Sequence, residues 1–192
     1  MPITEPREAE SAAAPDRVER RRIAARIRAV ARLTGRFVLR SGRVADTYFD
    51  KYQFEADPAL LRDIAQMLAR KLPVGTEAVA GLELGGIPLV TMVSQVTGLP
   101  AAFLRKEAKT YGTGRCAEGA ALAGRRFALI EDVVSTGGAL LDFMAKLAAD
   151  GLRPTAALCV IDRETGAAEA LAATGVPLTA LFTYAEIDSA EG

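Results

Sequence analysis

Histidine is absent from the sequence, and its absence excludes more chemistry than any residue present. Without imidazole there is no Ser-His-Asp triad, no Cys–His nucleophile pair and no His-ligated zinc within the chain. The two cysteines, Cys116 and Cys159, share no C-x-x-C spacing and offer no disulfide framework. No apolar run approaches the length of a membrane span, and no signal-peptide core follows the start. Formal net charge is zero, so no overall field gathers nucleic acid or a membrane surface. Neither G-x-G-x-x-G nor G-x-x-x-x-G-K-S/T occurs, which argues against dinucleotide and P-loop sites. No internal repeat is visible. The expectation is a reduced, soluble, cytoplasmic protein.

What is present suits one domain with a sizeable core: 192 residues, 50% of them hydrophobic. Charge is unevenly spread. Residues 1–45 carry eleven arginines against five acids, so the remainder is net negative. The run Arg20-Arg21-Arg22 reads as a solvated helix face, with a nucleic-acid contact as the sharper alternative. Residues 1–15, with three prolines and an alanine-rich acidic stretch, read as a disordered tail. Asp16 then caps a helix over 17–33, with Val18, Ile23, Ile27 and Val30 as its apolar positions. Strands follow at 37–39 and 47–54, a hairpin that offers Arg40, Tyr48, Phe49 and Lys51 as ligands. Propensity alone would make Tyr48 and Phe49 ordinary strand residues.

Asp57-Pro58 is a helix start, with Asp at the N-cap and Pro in the first turn. From there short apolar strands at 78–82, 100–104, 155–161 and 178–182 alternate with helical stretches, the pattern of a parallel sheet with right-handed crossovers. Glu83-Leu84-Gly85-Gly86 is a tight strand-to-helix loop, either an anion site or simply a place for close packing. The polar segment 105–115 holds four cations and two glycines between apolar strands. It is either a solvated excursion or a functional lid.

The most informative stretch is Phe127-Ala128-Leu129-Ile130-Glu131-Asp132-Val133-Val134-Ser135-Thr136-Gly137-Gly138-Ala139. An apolar strand ends in two carboxylates, a hydroxyl-and-glycine turn follows, and a helix begins with Leu140, Phe143, Met144 and Leu147 on one stripe. A helix start with glycine offers unpaired N–H groups and the positive dipole end to a phosphate. The carboxylates repel phosphate but accept hydrogen bonds from hydroxyls. A ribose 5-phosphate satisfies both features. Helix capping would explain Ser135 and Thr136, but not the carboxylate pair.

This stretch resembles the phosphoribosyl-pyrophosphate (PRPP) signature of type I phosphoribosyltransferases. Phe37-Val38-Leu39-Arg40-Ser41-Gly42, Tyr48-Phe49-Asp50, Gly81-Leu82-Glu83-Leu84-Gly85-Gly86-Ile87-Pro88, Arg105-Lys106-Glu107-Ala108-Lys109 and Ile161-Asp162-Arg163 narrow the resemblance to the orotate phosphoribosyltransferase family. The matches run in order over about 37–165. The resemblance implies an α/β fold with a central, mostly parallel sheet flanked by helices. It implies a single domain over 16–192 with a small hood, from about 16–56 plus a C-terminal part.

It also implies transfer of phosphoribose from PRPP to orotate. Lys109, Arg105 and Asp132 would be catalytic. PRPP would meet Arg105, Lys106, Lys109, Tyr111, Glu131, Asp132, Val133, Val134, Ser135, Thr136, Gly137, Gly138 and Ala139. Orotate would meet Tyr48, Phe49, Ser135 and Arg163, with Arg40, Glu83 and Gly85 as further possible contacts. Mg2+ would be held mainly through PRPP, with no direct protein ligand. The protein would be a homodimer whose 105–115 loop reaches the neighbouring active site, with no nucleic-acid or membrane partner. The chain departs from the family at Arg40, where lysine is common, at Tyr111, where histidine is common, and at Ser135, where threonine is common. Two other readings stay open: a phosphoribosyltransferase for another base, and a PRPP-binding regulator without turnover.

Overall fold

The structure, a computed structural model, describes residues 7–38, 42–106 and 116–190, with side chains from residue 17 onward. Helix α1 (Arg7–Ala31) leads into an antiparallel hairpin, β1 (Arg32–Val38) and β2 (Val44–Phe49). Asp50 caps the short helix α2 (Lys51–Ala56), its side chain accepting from Tyr52 N–H. Helix α3 (Pro58–Lys71) starts as the sequence predicts, with Asp57 accepting from the N–H groups of Ala59 and Leu60 and Pro in the first turn. Then follow β3 (Ala78–Leu82), α4 (Gly86–Thr97), β4 (Ala101–Leu104), β5 (Ala117–Gly119) and β6 (Phe127–Val134). The chain continues through α5 (Gly138–Ala149), β7 (Ala156–Asp162), α6 (Ala167–Ala172), β8 (Leu178–Thr183) and α7 (Tyr184–Ser189).

Six strands form one sheet in the order β5-β4-β3-β6-β7-β8, parallel except for β5 against β4. From β3 the chain moves outward to β4 in one direction. After β6 returns to the other side of β3, the chain moves outward through β7 and β8. The strand order therefore reverses between β3 and β6, and in such sheets ligands sit in the crevice at that reversal.

Both faces of the sheet are covered, so its strands are apolar throughout and sort by alternation. Ala128 and Ile130 of β6 join the core under α1, α3 and α4, with Ile23, Ile27, Leu60, Ile64, Leu89 and Val93. Phe127 and Leu129 point the other way, to Leu140, Phe143, Leu147 and Leu171. The same alternation carries the two carboxylates that follow to opposite faces. Asp132 falls on the Ile130 side and Glu131 on the Leu129 side.

Several boundaries differ from expectation. Helix α1 begins at Arg7, so the stretch expected as a disordered tail is helical from there, and Asp16 lies inside the helix. Alanine at 12, 13 and 14 favours helix strongly enough to extend it. Val18 is 68% exposed, while Ile23, Ala24, Ile27 and Ala31 make the buried face. The second hairpin strand stops at Phe49, because Asp50 caps α2. Strand β6 runs on through Glu131 and Asp132 to Val134, where the apolar run alone suggested an end at Ile130. Thr183 and Glu186 form a capping box that starts α7, an element the hydrophobic pattern did not show.

Three arginines of α1, and Arg32 at the start of β1, are engaged within the chain. Arg22 and Arg26 pair with Asp63, Arg26 also with Asp57, Arg20 with Glu186 and Arg32 with Asp188. No helix among the described residues is long and apolar enough to cross a membrane. Ile64 is fully buried between α3 and the sheet. Ile64→Ala is expected to cost about 2–5 kcal/mol of unfolding free energy in urea titration, with the m-value unchanged.

Candidate active site

At the carboxyl ends of β3 and β6 the chain closes around a cavity of about 270 Å³. Glu131, Asp132, Val133, Val134, Ser135, Thr136, Gly137, Gly138 and Ala139 line it from β6 and the start of α5, and Glu83 and Lys106 line it from the opposite rim. Leu82, Leu140 and Phe143 supply an apolar wall. Gly137 is the N-cap of α5, with φ of 78°, a conformation that strongly favours glycine. No side chain caps this helix, so neither Ser135 nor Thr136 serves the capping role that was their ordinary explanation. The first-turn N–H groups and the positive dipole end face the cavity without a competing side-chain acceptor.

A second cavity of about 300 Å³ adjoins the first and shares Lys51, Val133 and Ser135 with it. Tyr48, Phe49, Asp50, Tyr52 and Arg163 complete its lining. Arg163 is held beside the β6 turn because its N–H donates to the Val134 carbonyl at 2.8 Å. Its guanidinium lies 5.2 Å from the centre of the Tyr184 ring, and Tyr184 meets Phe49 edge-on at 5.6 Å. A planar donor fork backed by aromatic rings suits a flat anionic ligand. The four residues expected around the base, Tyr48, Phe49, Ser135 and Arg163, thus line one space.

The remaining candidates are placed as follows. Arg105 is exposed and its N–H donates to the Cys116 carbonyl at 2.9 Å, joining the two ends of the 105–115 segment. Lys106 is anchored on both sides: its N–H donates to Glu83, and its carbonyl accepts from the Lys146 ammonium. Gly85 lies behind the cavity against Asp132, where a Cβ would fall 1.5 Å from Oδ2. Arg40, Lys109 and Tyr111 lie outside the described residues.

The two carboxylates differ in setting. Asp132 is fully buried, its Oδ1 accepting from Val133 N–H and its Oδ2 standing 2.5 Å from Lys51 Nζ. Burial tends to lower the Lys51 pKa, but the hydrogen bond and charge of Asp132 outweigh it and leave the ammonium above its usual value. Glu131 sits at the cavity edge. Burial, and then the neighbouring Asp132 charge, push its carboxyl well above the ordinary carboxylate range.

Lys51 stood among the hairpin's potential ligands without a defined role, because a single lysine after a strand carries no spacing signal. Its place between the two cavities comes from the Asp50 cap, which turns the chain back towards β6. Tyr184 was missed for a similar reason, although Thr183-x-x-Glu186 is a readable helix start.

Gly137→Ala is expected to force a Cβ into the left-handed region and to within 2.8 Å of Leu171 Cδ1. It should cost about 1–3 kcal/mol of stability and weaken inorganic phosphate binding at least tenfold, as read by denaturation and calorimetric titration.

No protein-family model matches the chain. Among curated proteins, the orotate phosphoribosyltransferase of a Nocardioides species is 51% identical over 168 residues, covering 88% of this chain and 94% of that protein. The orotate phosphoribosyltransferase of Methanocella arvoryzae is 39% identical over 153 residues, 80% of this chain and 87% of its own. Among solved structures, Mycobacterium tuberculosis orotate phosphoribosyltransferase in complex with Fe(III) dicitrate superposes with a TM-score of 0.80 at 30% identity. It covers 88% of this chain and 98% of that one. The strand reversal between β3 and β6, the glycine-started helix and the paired carboxylates thus occur in a chain that belongs to the orotate phosphoribosyltransferase family.

Proposed function

We infer that the chain transfers the 5-phosphoribosyl group of PRPP to orotate, giving orotidine 5-monophosphate and pyrophosphate in pyrimidine nucleotide biosynthesis. The observation that carries this reading is the pair of adjoining cavities that share Lys51, Val133 and Ser135. One has a phosphate cradle and carboxylates for hydroxyls. The other has an arginine fork and aromatic walls. A PRPP-binding regulator would need only the first. The ion pairing of Arg20 and Arg22 within the chain also counts against a nucleic-acid-binding face on α1.

In this reading Val133 to Ala139 hold the 5-phosphate against the start of α5. Glu131 takes the ribose hydroxyls, and Asp132 supports it from the buried side of the strand. Arg163 meets the orotate carboxylate while Tyr48 and Phe49 enclose the ring. The bond from C1 to pyrophosphate breaks as the bond to the orotate ring nitrogen forms on the opposite face, with inversion. Positive charge grows on the ribosyl group as pyrophosphate leaves. Arg105, Lys106 and Lys109 neutralise the leaving group, and the closed site excludes water. Orotate arrives partly deprotonated at that nitrogen, so no imidazole base is required.

Mg2+ suits this set of oxygen donors and would be held mainly through PRPP oxygens, where it would supply positive charge against the pyrophosphate. The same reading makes the protein a cytoplasmic homodimer in which residues 105–115 reach the neighbouring active site. The exposed Arg105 and Lys106 support the loop's part in this, and the free Cys116 and Cys159 support a reducing compartment.

A spectrophotometric assay with orotate, PRPP and magnesium tests the reading. Orotate absorbance should fall only when all three are present, with release of pyrophosphate. Lys109→Ala should lower kcat about 100-fold or more, by analogy with loss of one preorganised charge-stabilising donor. Arg163→Ala should raise the orotate KM about 10- to 100-fold with little change in PRPP affinity, the loss expected for one charged hydrogen-bonding contact. Failure of orotate to react, alongside reaction of another base, would reassign the second cavity.

A further inference from the structure

Beneath the seam of the two cavities lies a charged cluster in which the transfer reaction, as described, gives Asp132 a part and Glu55 none. Glu55, on the last turn of α2, is only 7% exposed, and Asp132 is 0% exposed. Their oxygens converge. A Cβ added to Gly85 would lie 1.5 Å from Asp132 Oδ2 and 3.0 Å from Glu55 Oε1. Both oxygens are sealed from solvent. Apart from the Lys51 ammonium at Asp132 Oδ2, no donor among the described residues reaches them.

Two ionised carboxylates in so dry a seat would repel each other and leave one oxygen unsatisfied. One retained proton removes both problems, as in other buried acid pairs. The contacts that favour negative charge all fall on Asp132. Val133 N–H donates to Oδ1, Lys51 Nζ faces Oδ2, and the N-terminus of α4 abuts it at Gly85. The proton therefore stays with Glu55.

We propose that Glu55 is a positioning residue for the transfer reaction. Its carboxylic acid donates to Asp132 Oδ2, and the resulting neutral set of Lys51, Asp132 and Glu55 fixes the Lys51 ammonium at the seam of the sugar-phosphate and base cavities. This rests on the phosphoribosyl-transfer reading above. Lys51 lines both cavities, so a small shift of its ammonium changes the field on both substrates at once. Ionising Glu55 adds a second negative charge beneath Lys51. That draws the ammonium inward and opposes two anionic substrates.

Burial first, and then the Asp132 charge, raise Glu55 to about 8, with Lys51 pulling down and Asp50 pushing up. Glu131, the remaining nearby carboxyl, acts on the cluster through Asp132 and Lys51. The proton is held below that value, and function should fall as pH rises through it.

The test is kcat/KM for orotate, with PRPP and magnesium, on the full wild-type chain and on Glu55→Gln and Glu55→Ala, from about pH 6 to about pH 9.5. An infrared difference spectrum between wild type and Glu55→Gln at neutral pH accompanies it. Wild-type kcat/KM should fall about tenfold per pH unit above about 8, as for loss of one essential proton. Glu55→Ala should lower kcat about tenfold or more, whereas Glu55→Gln, a neutral donor at every pH, should restore most of that loss and flatten the limb. The difference spectrum should contain a protonated-carboxyl band belonging to Glu55. The proposal is overturned if Glu55→Gln keeps the wild-type limb, if that band is missing, or if Glu55→Ala matches wild type in kcat. Glu55→Gln keeps side-chain volume, so the test decides even if Glu55→Ala does not fold. A wild-type chain that consumes no orotate at any pH would sink the transfer reading instead, by a readout separate from the infrared band.

Discussion

The ion pair between Lys51 and Asp132 holds α2, and with it the hairpin, to the sheet at the point where both line the cavities. Asp132 belongs to β6, at the centre of the sheet, and Lys51 opens the helix that follows the hairpin. A carboxylate on the core side of a buried strand is expensive to desolvate, and removing only its partner would leave an uncompensated charge. Helix α2 is therefore fixed to the sheet electrostatically as well as by the packing of Phe54 into the core. The second cavity takes its shape from that attachment. Tyr48, Phe49 and Lys51 come from the hairpin and α2, and Val133, Ser135 and Arg163 from the carboxyl ends of β6 and β7.

Much of this was legible in the sequence, for identifiable physical reasons. Asp57-Pro58 starts α3 because both residues act locally on the first turn. β3 falls on Ala78–Leu82 because a strand covered on both faces must be apolar throughout. The β6–α5 stretch was readable because a glycine-rich helix start and adjacent carboxylates are chemically specific side by side. What could not be read depends on neighbours distant in sequence. The apolar run stops at Ile130 and the carboxylate pair was read as closing the strand, yet Asp132 stays within it by pairing with Lys51. Glu55 carries no sequence signal of burial, and only the close approach of Gly85 and Asp132 makes it a buried acid. Edge strand β5, three residues long, has too little sequence to carry a period.

The glycines at the β3–α4 turn show how packing and chemistry coincide. Gly85 stands where any side chain would displace the Asp132 carboxylate, and Gly86 where a Cβ would lie 2.6 Å from the Ile130 carbonyl. The loop resembles an anion site by composition. Its first demand is steric, because α4 must approach β6 closely enough for its N-terminus to face a carboxylate already in place. A possible ligand contact there does not displace that role.

The clasp between α1 and α7 has a consequence for how the protein is made. Arg20 reaches Leu181 and Glu186 across 161 and 166 residues of chain, and Arg32 reaches Asp188 across 156. As the nascent chain leaves the ribosome, α1 and β1 emerge early, and Arg20 and Arg32 wait without these partners until β8 and α7 follow. Such distant contacts carry the largest loop-closure entropy and contribute late in folding. The sheet from β3 to β7 can assemble first, with the N-terminal helix docking last.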